Sequence, residues 1–274
     1  MAIRRLHLVE LEDLPWYPRA FRDFGTDYLR HMESAFAVHR PMVPVIRDLL
    51  RETGETRLVD LCSGGGGPAL DVVQDLAADG VDATLTLTDL FPNLSAFRTA
   101  AAAAPDRVSF VEESVDARRV DPELPGVRTM FNALHHFRPD DVRSILADAV
   151  RARRPIAVFD IPPRAVWRVI GFQLTPVVVL LATPFIRPFM WKRLFWTYLV
   201  PAVPFTCWWD GTVSLLRSYR ADELAAFGQE VDPHGTDWRV GELKGAASPG
   251  PLPYLIGVPR RAERRSTRPG ERSP

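Results

Sequence analysis

The chain has 274 residues, of which 46% are hydrophobic and 25% charged, a composition typical of an ordinary globular protein. Its 34 basic and 34 acidic residues balance, which argues against a general nucleic-acid-binding protein. Two cysteines, Cys62 and Cys207, cannot form a disulfide framework, and the first residues contain no apolar run typical of a signal peptide. We therefore expect a cytoplasmic protein, and the abundance of arginine, alanine and proline favours a bacterial source.

The chain begins with a predicted helical cap and continues as an α/β core. In residues 1–52 apolar side chains recur at helical spacing, without strand-like alternation. In residues 53–163 short apolar runs alternate with helical patterns of about 10 to 15 residues, which predicts a doubly wound sheet with helices on both faces. A helical pattern and two strand-like runs in residues 219–260 return the chain to this core.

Residues 164–218 interrupt the core with an apolar, aromatic and proline-containing segment. Because the segment follows the fifth predicted strand, it must pass over the edge of the sheet where ligands bind, and we predict a helical lid. A membrane span is disfavoured, since residues 169–186, the longest run without charge, fall short of the roughly 20 apolar residues required. Attachment to a membrane surface stays open as an alternative. Residues 261–274 are predicted to be a disordered tail.

A run of four glycines, Gly64 to Gly67, follows the first predicted strand and precedes a helix. Glycine at this turn lets the backbone approach a nucleotide-like ligand closely. Gly64, Gly66 and Ala69 also fit a dinucleotide-binding spacing, so the glycines alone leave an NAD(P)-dependent oxidoreductase open. Asp60 favours a methyl donor, because its carboxylate would repel a pyrophosphate and attract an ammonium or a sulfonium.

Four motifs, taken in order, resemble those of the class I S-adenosylmethionine-dependent methyltransferases: VDLCSGGGG, LTLTDLFPN, SVDARRV and FNALHHF. The resemblance implies S-adenosyl-L-methionine as cofactor and a Rossmann-like sheet that is mostly parallel, with an antiparallel C-terminal strand. It also implies methyl transfer to a small aromatic or apolar acceptor, such as an indole or a phenol, of the kind found in secondary metabolism and antibiotic biosynthesis. A membrane-associated methyltransferase acting on a lipid or quinone is the alternative.

The resemblance assigns cofactor contacts residue by residue. It implies that Asp89 binds the ribose hydroxyls, that Leu90 flanks the adenine and that Asp116 accepts a hydrogen bond from the adenine amine. Ordinary alternatives are a helix N-cap for Asp89 and a turn carboxylate for Asp116. The predicted cofactor-binding residues are Asp60, Cys62, Gly64, Gly66, Asp89, Leu90, Val115, Asp116, Asn132 and Ala133.

Methyl transfer from a sulfonium requires chiefly alignment and desolvation, because the leaving group is already activated. An acceptor that carries an acidic proton also needs a base, and His135 is the first candidate, since the ordinary pKa of histidine is about 6.5. Asp160, at the end of the fifth strand, is the second. No metal is predicted, because the adjacent His135 and His136 lack a nearby cluster to complete a site. The predicted acceptor contacts are Tyr28, Trp191, Phe195 and Trp208.

Overall fold

The computed structural model describes residues 3–245 and 250–260. Seven strands form one sheet in the order β3-β2-β1-β4-β5-β7-β6. The predicted tail, residues 261–274, lies outside the described residues. The strands are β1 (Arg57–Asp60), β2 (Thr84–Leu87), β3 (Val108–Phe110), β4 (Val127–Phe131), β5 (Ile156–Phe159), β6 (Thr236–Leu243) and β7 (Leu252–Pro259).

The central strands are buried on both faces, as in sheets that are covered by helices on each side. Every residue of β4 and of β5 is buried. β1 pairs in parallel with β2 and β4, and β4 pairs in parallel with β5. β7 runs antiparallel to both of its neighbours, β5 and β6. The predicted sheet, mostly parallel with an antiparallel C-terminal strand, is confirmed.

Six helices pack on the sheet or precede it, and four more belong to the predicted lid segment. The first six are α1 (Arg19–Ala35), α2 (Val43–Thr53), α3 (Gly67–Ala78), α4 (Leu94–Ala103), α5 (Pro139–Arg151) and α10 (Ala221–Val231). The lid helices are α6 (Val166–Phe172), α7 (Thr175–Ala182), α8 (Trp191–Leu194) and α9 (Ala202–Arg217), with a π-helical turn at Phe195–Leu199.

The first described residues correct the prediction of a wholly helical cap, because helix begins only at Arg19. Residues 3–10 form an irregular strap across the molecule. The Leu6 amide donates to the Leu216 carbonyl (3.0 Å), at the end of α9. The Arg5 guanidinium donates to the carbonyls of Arg217 (2.5 Å) and Phe137 (3.0 Å). The strap therefore joins the end of the lid to the loop after β4.

The lid packs on α1 through a small apolar core and one buried ion pair. The core contains Phe24, Tyr28, Val179, Ile186 and Val203. The Arg193 guanidinium, buried at 1% exposure, donates to the Asp27 carboxylate at 2.6 Å. This pair fixes the lid to the helix that precedes the sheet.

Candidate active site

A cavity of about 730 Å³ lies at the carboxyl ends of β1, β2, β4 and β5. This is the edge where open α/β sheets bind ligands. Loops after these strands form one wall, α1 forms a second, and α6, α7 and α9 of the lid form a third. The cavity therefore combines the predicted core, cap and lid.

The glycine loop after β1 presents backbone to the cavity. Gly64, Gly65 and Gly67 line it, and the Gly64 amide donates to the Asp89 carboxylate at 2.8 Å. Gly66 does not line the cavity, although the motif nominates it for cofactor binding. Gly66 is the N-cap of α3, its φ of 91° favours glycine, and a Cβ there would lie 2.5 Å from Leu70 Cδ1. Gly66 therefore serves the turn and its packing.

Asp89 lies on the cavity wall, next to Leu90 and Phe91. One carboxylate oxygen accepts from the Gly64 amide and the other from the Phe91 amide, both at 2.8 Å. The N-cap alternative for Asp89 is wrong, because Asn93 caps α4 through a bond from the Ala96 amide. Asp89 holds the loops after β1 and β2 together, and each of its oxygens retains a lone pair for a ligand hydroxyl.

Asp60 lies behind the glycine loop and does not line the cavity. Its carboxyl accepts from the Thr129 hydroxyl at 3.0 Å, and its carbonyl accepts from the Ser63 hydroxyl at 3.0 Å. Burial raises the pKa of Asp60 to about 7, against the hydrogen bonds from Ser63 and Thr129. Asp60 is thus not a fixed negative charge at neutral pH, so the charge argument against a pyrophosphate does not hold.

Cys62 lines the cavity, whereas Val115 and Asp116 do not. The Asp116 carboxylate accepts from the Arg118 guanidinium at 2.7 Å, which lowers the pKa of Asp116. Burial raises the pKa of the Cys62 thiol, and the carboxylates of Asp89, Asp60 and Asp116 raise it further. The Asp116 carboxylate is therefore already paired with Arg118. Its predicted contact with adenine would require it to share that carboxylate with Arg118.

Asn132 and Ala133 follow β4 and line the cavity. Asn132 adopts a left-handed backbone with φ 50°, and its side-chain amide donates to the Glu33 carboxylate at 2.6 Å. The Asn132 Oδ1 atom is buried without a hydrogen-bond partner. Burial raises the pKa of Glu33 to about 7, against the hydrogen bond from Asn132. The site thus holds an unsatisfied acceptor beside a titratable carboxyl.

Glu33 belongs to a polar stripe on α1 that sequence reasoning missed. The stripe residues face the cavity, whereas Phe24 and Tyr28 are buried on another face of the helix. The signal was the spacing of three, four and three residues, which places polar side chains on one helical face. The stripe consists of Asp23, Thr26, Arg30 and Glu33.

His135 and Asp160 form a buried pair at the junction of β4 and β5. The His135 Nδ1 and Asp160 Oδ1 atoms are 2.7 Å apart, and the side chains are 3% and 0% exposed. His135 lines the cavity, but Asp160 does not. A carboxylate oxygen accepts from an imidazole N–H, so this contact occupies Nδ1 and leaves Nε2 as the other ring nitrogen for a ligand. Asp160 is therefore a positioning residue for His135, and its predicted role as an alternative base is corrected.

A charged network surrounds His136, whose ring centroid is 4.4 Å from that of His135. Its Nδ1 atom is 2.9 Å from Asp13 Oδ1 and 3.3 Å from Glu10 Oε2. Burial alone would lower the pKa of His136, but the nearby carboxylates raise it to about 10. The Arg217 guanidinium lies 3.0 Å from Glu10 and 2.6 Å from Asp13.

A carboxylate lies beside the His135–His136 pair, contrary to the sequence prediction. Ligand atoms of Glu10, His135 and His136 all lie within 4.8 Å of one another, so a carboxylate does join the histidine pair. The same three side chains also form ion pairs, Glu10 with Arg217, His136 with Asp13 and His135 with Asp160.

None of the four predicted acceptor residues lines the cavity. Tyr28 is buried in the core between α1 and the lid. The Trp208 indole donates to Gln173 at 2.8 Å, and Trp191 and Phe195 are 78% and 46% exposed. The lid contributes other apolar side chains to the wall: Trp167, Phe172, Leu174 and Val178.

No family model matches the chain, and no curated protein matches it in sequence. Among solved structures, the apo form of the S-adenosylmethionine-dependent methyltransferase SibL is 16% identical, with a TM-score of 0.52 over 95% of this chain and 64% of that chain. The methyltransferase domain of bacterial CtHen1 is 11% identical, with a TM-score of 0.48 over 80% of this chain and 98% of that chain. The pyocyanin biosynthetic protein PhzM is 14% identical, with a TM-score of 0.46 over 75% and 51%.

The chain thus spans under two thirds of the SibL chain and about half of the PhzM chain. The match to SibL extends over nearly all of this chain. The chain therefore has the fold of the class I S-adenosylmethionine-dependent methyltransferases.

Proposed function

We propose that the protein transfers a methyl group from S-adenosyl-L-methionine to a small apolar or aromatic acceptor with an acidic proton. The observation that supports this most directly is the His135–Asp160 pair at a cavity that is also lined by the glycine loop. The pair supplies a base, and the loop supplies bare backbone for a cofactor. Both halves of the reaction therefore meet in one cavity.

The residues present fit the cofactor. Asp89 offers carboxylate lone pairs to ribose hydroxyls, and the backbone of Gly64 and Gly65 offers room for close approach. The orphaned Asn132 Oδ1 atom and the Glu33 carboxyl would accept from an ammonium group, which needs acceptors of this kind. When bound, the cofactor supplies a methyl group activated by its sulfonium.

His135 provides the proton acceptor. With Nδ1–H donating to Asp160, the Nε2 lone pair takes the proton from the acceptor oxygen, nitrogen or carbon, and Asp160 stabilises the imidazolium that forms. Removal of that proton leaves an electron pair on the acceptor atom for bond formation. Trp167, Phe172 and Leu174 supply an apolar wall that excludes water and favours an apolar acceptor.

The test replaces His135 with alanine and uses radiolabelled S-adenosyl-L-methionine with a panel of phenols and indoles. We expect His135→Ala to lower turnover by about 10² to 10⁴, because general-base removal has that cost, and to leave S-adenosylhomocysteine affinity nearly unchanged. Asp160→Asn should lower turnover less and shift the acidic limb of the pH–rate profile, which reports the base. His234→Ala, at an exposed histidine away from the cavity, is the control.

Calorimetry with S-adenosylhomocysteine and NADH separates the methyltransferase from an oxidoreductase. Binding of NADH without any heat from S-adenosylhomocysteine would contradict the proposed cofactor. Unchanged turnover of His135→Ala on an accepted substrate would contradict the proposed base but not the cofactor.

A further inference from the structure

The outer surface of the lid carries a continuous apolar stripe across α6, α7 and the turn after α7. Its members recur every three or four residues, so they share one helical face. Their exposed fractions lie between 53% and 70%. This outer stripe consists of Trp167, Ile170, Leu174, Val177, Leu181 and Phe185.

The protein covers only the opposite face of α7. Thr175, Val179 and Thr183 are buried at intervals of four residues, and Val179 packs in the core shared with α1. A surface helix of a water-soluble domain normally presents polar residues outward. α7 instead presents Val177 and Leu181, at 53% and 70% exposure. Its outward face therefore has the composition of a buried face.

Further exposed apolar residues lie beside the outer stripe. Trp191 and Leu199 are 78% and 73% exposed, and Tyr198 is 52% exposed. The Tyr198 hydroxyl donates to the Leu180 carbonyl at 2.5 Å, which places the π-helical turn against α7. Tryptophan and tyrosine are enriched where one end of a side chain is in lipid and the other in water. The surface thus combines aliphatic and interfacial aromatic residues.

The charges of this surface have one sign. The sequence between Arg164 and Asp210 contains no aspartate or glutamate. Arg164 and Arg193 are buried in ion pairs with Glu223 and Asp27. Arg187 and Lys192 are exposed; Arg187 follows the outer stripe in the sequence, and Lys192 is next to Trp191.

We propose that the outer stripe and the neighbouring aromatic residues dock on an anionic lipid bilayer. Apolar side chains would enter the interface, while Arg187 and Lys192 would pair with lipid phosphates. A second copy of the chain fits less well. A twofold interface brings the same surface together, and the lid sequence between Arg164 and Asp210 contains no carboxylate to pair with its cations.

The geometry of the outer stripe favours attachment at the membrane interface over a membrane span. Among the residues that the structure describes, no single helix is long and apolar enough to cross a membrane. Val166–Phe172 and Thr175–Phe185 reach that length and composition only as a pair bent by 42°. Trp167 and Leu174 belong both to the outer stripe and to the cavity wall, so the docking surface continues into the site.

The test is flotation of the purified full chain with vesicles, without cofactor or acceptor, so its result is independent of the proposed methyl transfer. One set of vesicles is phosphatidylcholine, and the other contains about one third phosphatidylglycerol. We expect the wild type to float with the anionic vesicles. The double variant Leu181→Asp/Leu199→Asp should float at least tenfold less, because both side chains are exposed and absent from the cavity wall.

Phe36→Asp, at a 53% exposed residue outside the lid, is the matched control and should float like the wild type. Arg187→Gln/Lys192→Gln should lose the preference for anionic vesicles. Thermal melting of each variant reports that it is folded. The proposal is overturned if the wild type stays at the bottom of both gradients, if the double variant floats as well as the wild type, or if the double variant instead dissociates a dimer in ultracentrifugation.

Discussion

The sheet edge and the lid line the same cavity, but different forces hold their residues in place. At the sheet edge, the loops follow defined strands and are held by short hydrogen bonds. Examples are the bond from the Gly64 amide to Asp89 and the bond between His135 and Asp160. In the lid, apolar helices pack on α1 with one face and expose the other. Because such hydrogen bonds require particular residues at particular positions, they can be recognised in the sequence as a motif. Apolar packing is visible in the sequence only as a high apolar content, and that content does not indicate which face of a helix is turned inward.

Each region also has a buried ion pair that anchors it. Arg128, on β4, donates to Asp148 on α5 at 2.6 Å, and Arg193 in the lid donates to Asp27 on α1 at 2.6 Å. Both arginines are 1% exposed. Matched substitutions at these positions can therefore test whether the two regions unfold together.

The largest expected effect is on stability, from Arg128→Met. Loss of one partner of a buried pair costs about 3 to 5 kcal/mol, because the other charge stays buried. We expect that loss in the free energy of unfolding measured with denaturant. Arg193→Met should instead increase amide hydrogen exchange across residues 166–217, with a smaller change in global stability. Equal global losses in the two variants would show that lid and sheet form one cooperative unit.

The next effect is pH-dependent and belongs to the sheet edge. The pKa of Asp60 is about 7 in the folded protein and 3.8 for an ordinary aspartate, so the folded state keeps its proton longer. The free energy of unfolding therefore falls as pH rises between these values, by up to about 1.4 kcal/mol per unit, or roughly 2 kcal/mol from pH 5 to 7.

Asp60→Asn removes this titration and keeps an oxygen to accept from Thr129. We expect the stability of the variant relative to the wild type to rise from pH 5 to pH 7, in thermal melts at each pH. A difference that stays constant with pH would mean that Asp60 ionises normally in the folded protein. Affinity for S-adenosylhomocysteine should change little, because Asp60 does not line the cavity.

The smallest effects compare one glycine from each region. Gly66→Ala places a Cβ against Leu70 at φ 91°, and the conformation alone costs about 1 to 2 kcal/mol. Gly54→Ala, at φ 73° with no neighbour within 4 Å, is the control for conformation. We expect Gly66→Ala to be the more destabilising of the two in denaturant unfolding, and equal losses would dismiss the contact with Leu70.

Gly211, in α9, is the counterpart in the lid. A Cβ there would contact the Phe172 ring, which lines the cavity. Alanine is favoured over glycine in a helix by about 1 kcal/mol, which offsets part of the cost of moving the ring. Gly211→Ala should therefore change stability by less than Gly66→Ala. The main effect of Gly211→Ala should instead be a change in the Michaelis constant of the acceptor.

The sequence predicted the sheet and the loops at its edge, because alternating apolar runs and strand-end motifs are local. Gly64, Asp89, Asn132 and His135 accordingly all reach the cavity. The sequence did not predict that the Leu70 side chain excludes a Cβ at position 66, because that contact depends on where α3 places Leu70. The lid shows the limit most clearly. Its aromatic content indicated an apolar wall, but only the tertiary packing determines that Phe172 turns inward while Trp191 stays exposed.

The strap of residues 3–10 bears on the order in which the site can assemble. Its hydrogen bonds join residues more than 200 positions apart, since Arg5 binds the Arg217 carbonyl and Leu6 binds the Leu216 carbonyl. Contacts between residues so far apart in sequence form late in folding, because the entropy cost of closing the long intervening loop must be met before the contact stabilises it. During synthesis the first residues must wait for α9 to be made. The turn that carries His135, to which Arg5 also binds through Phe137, is thus completed by one of the last closures of the chain.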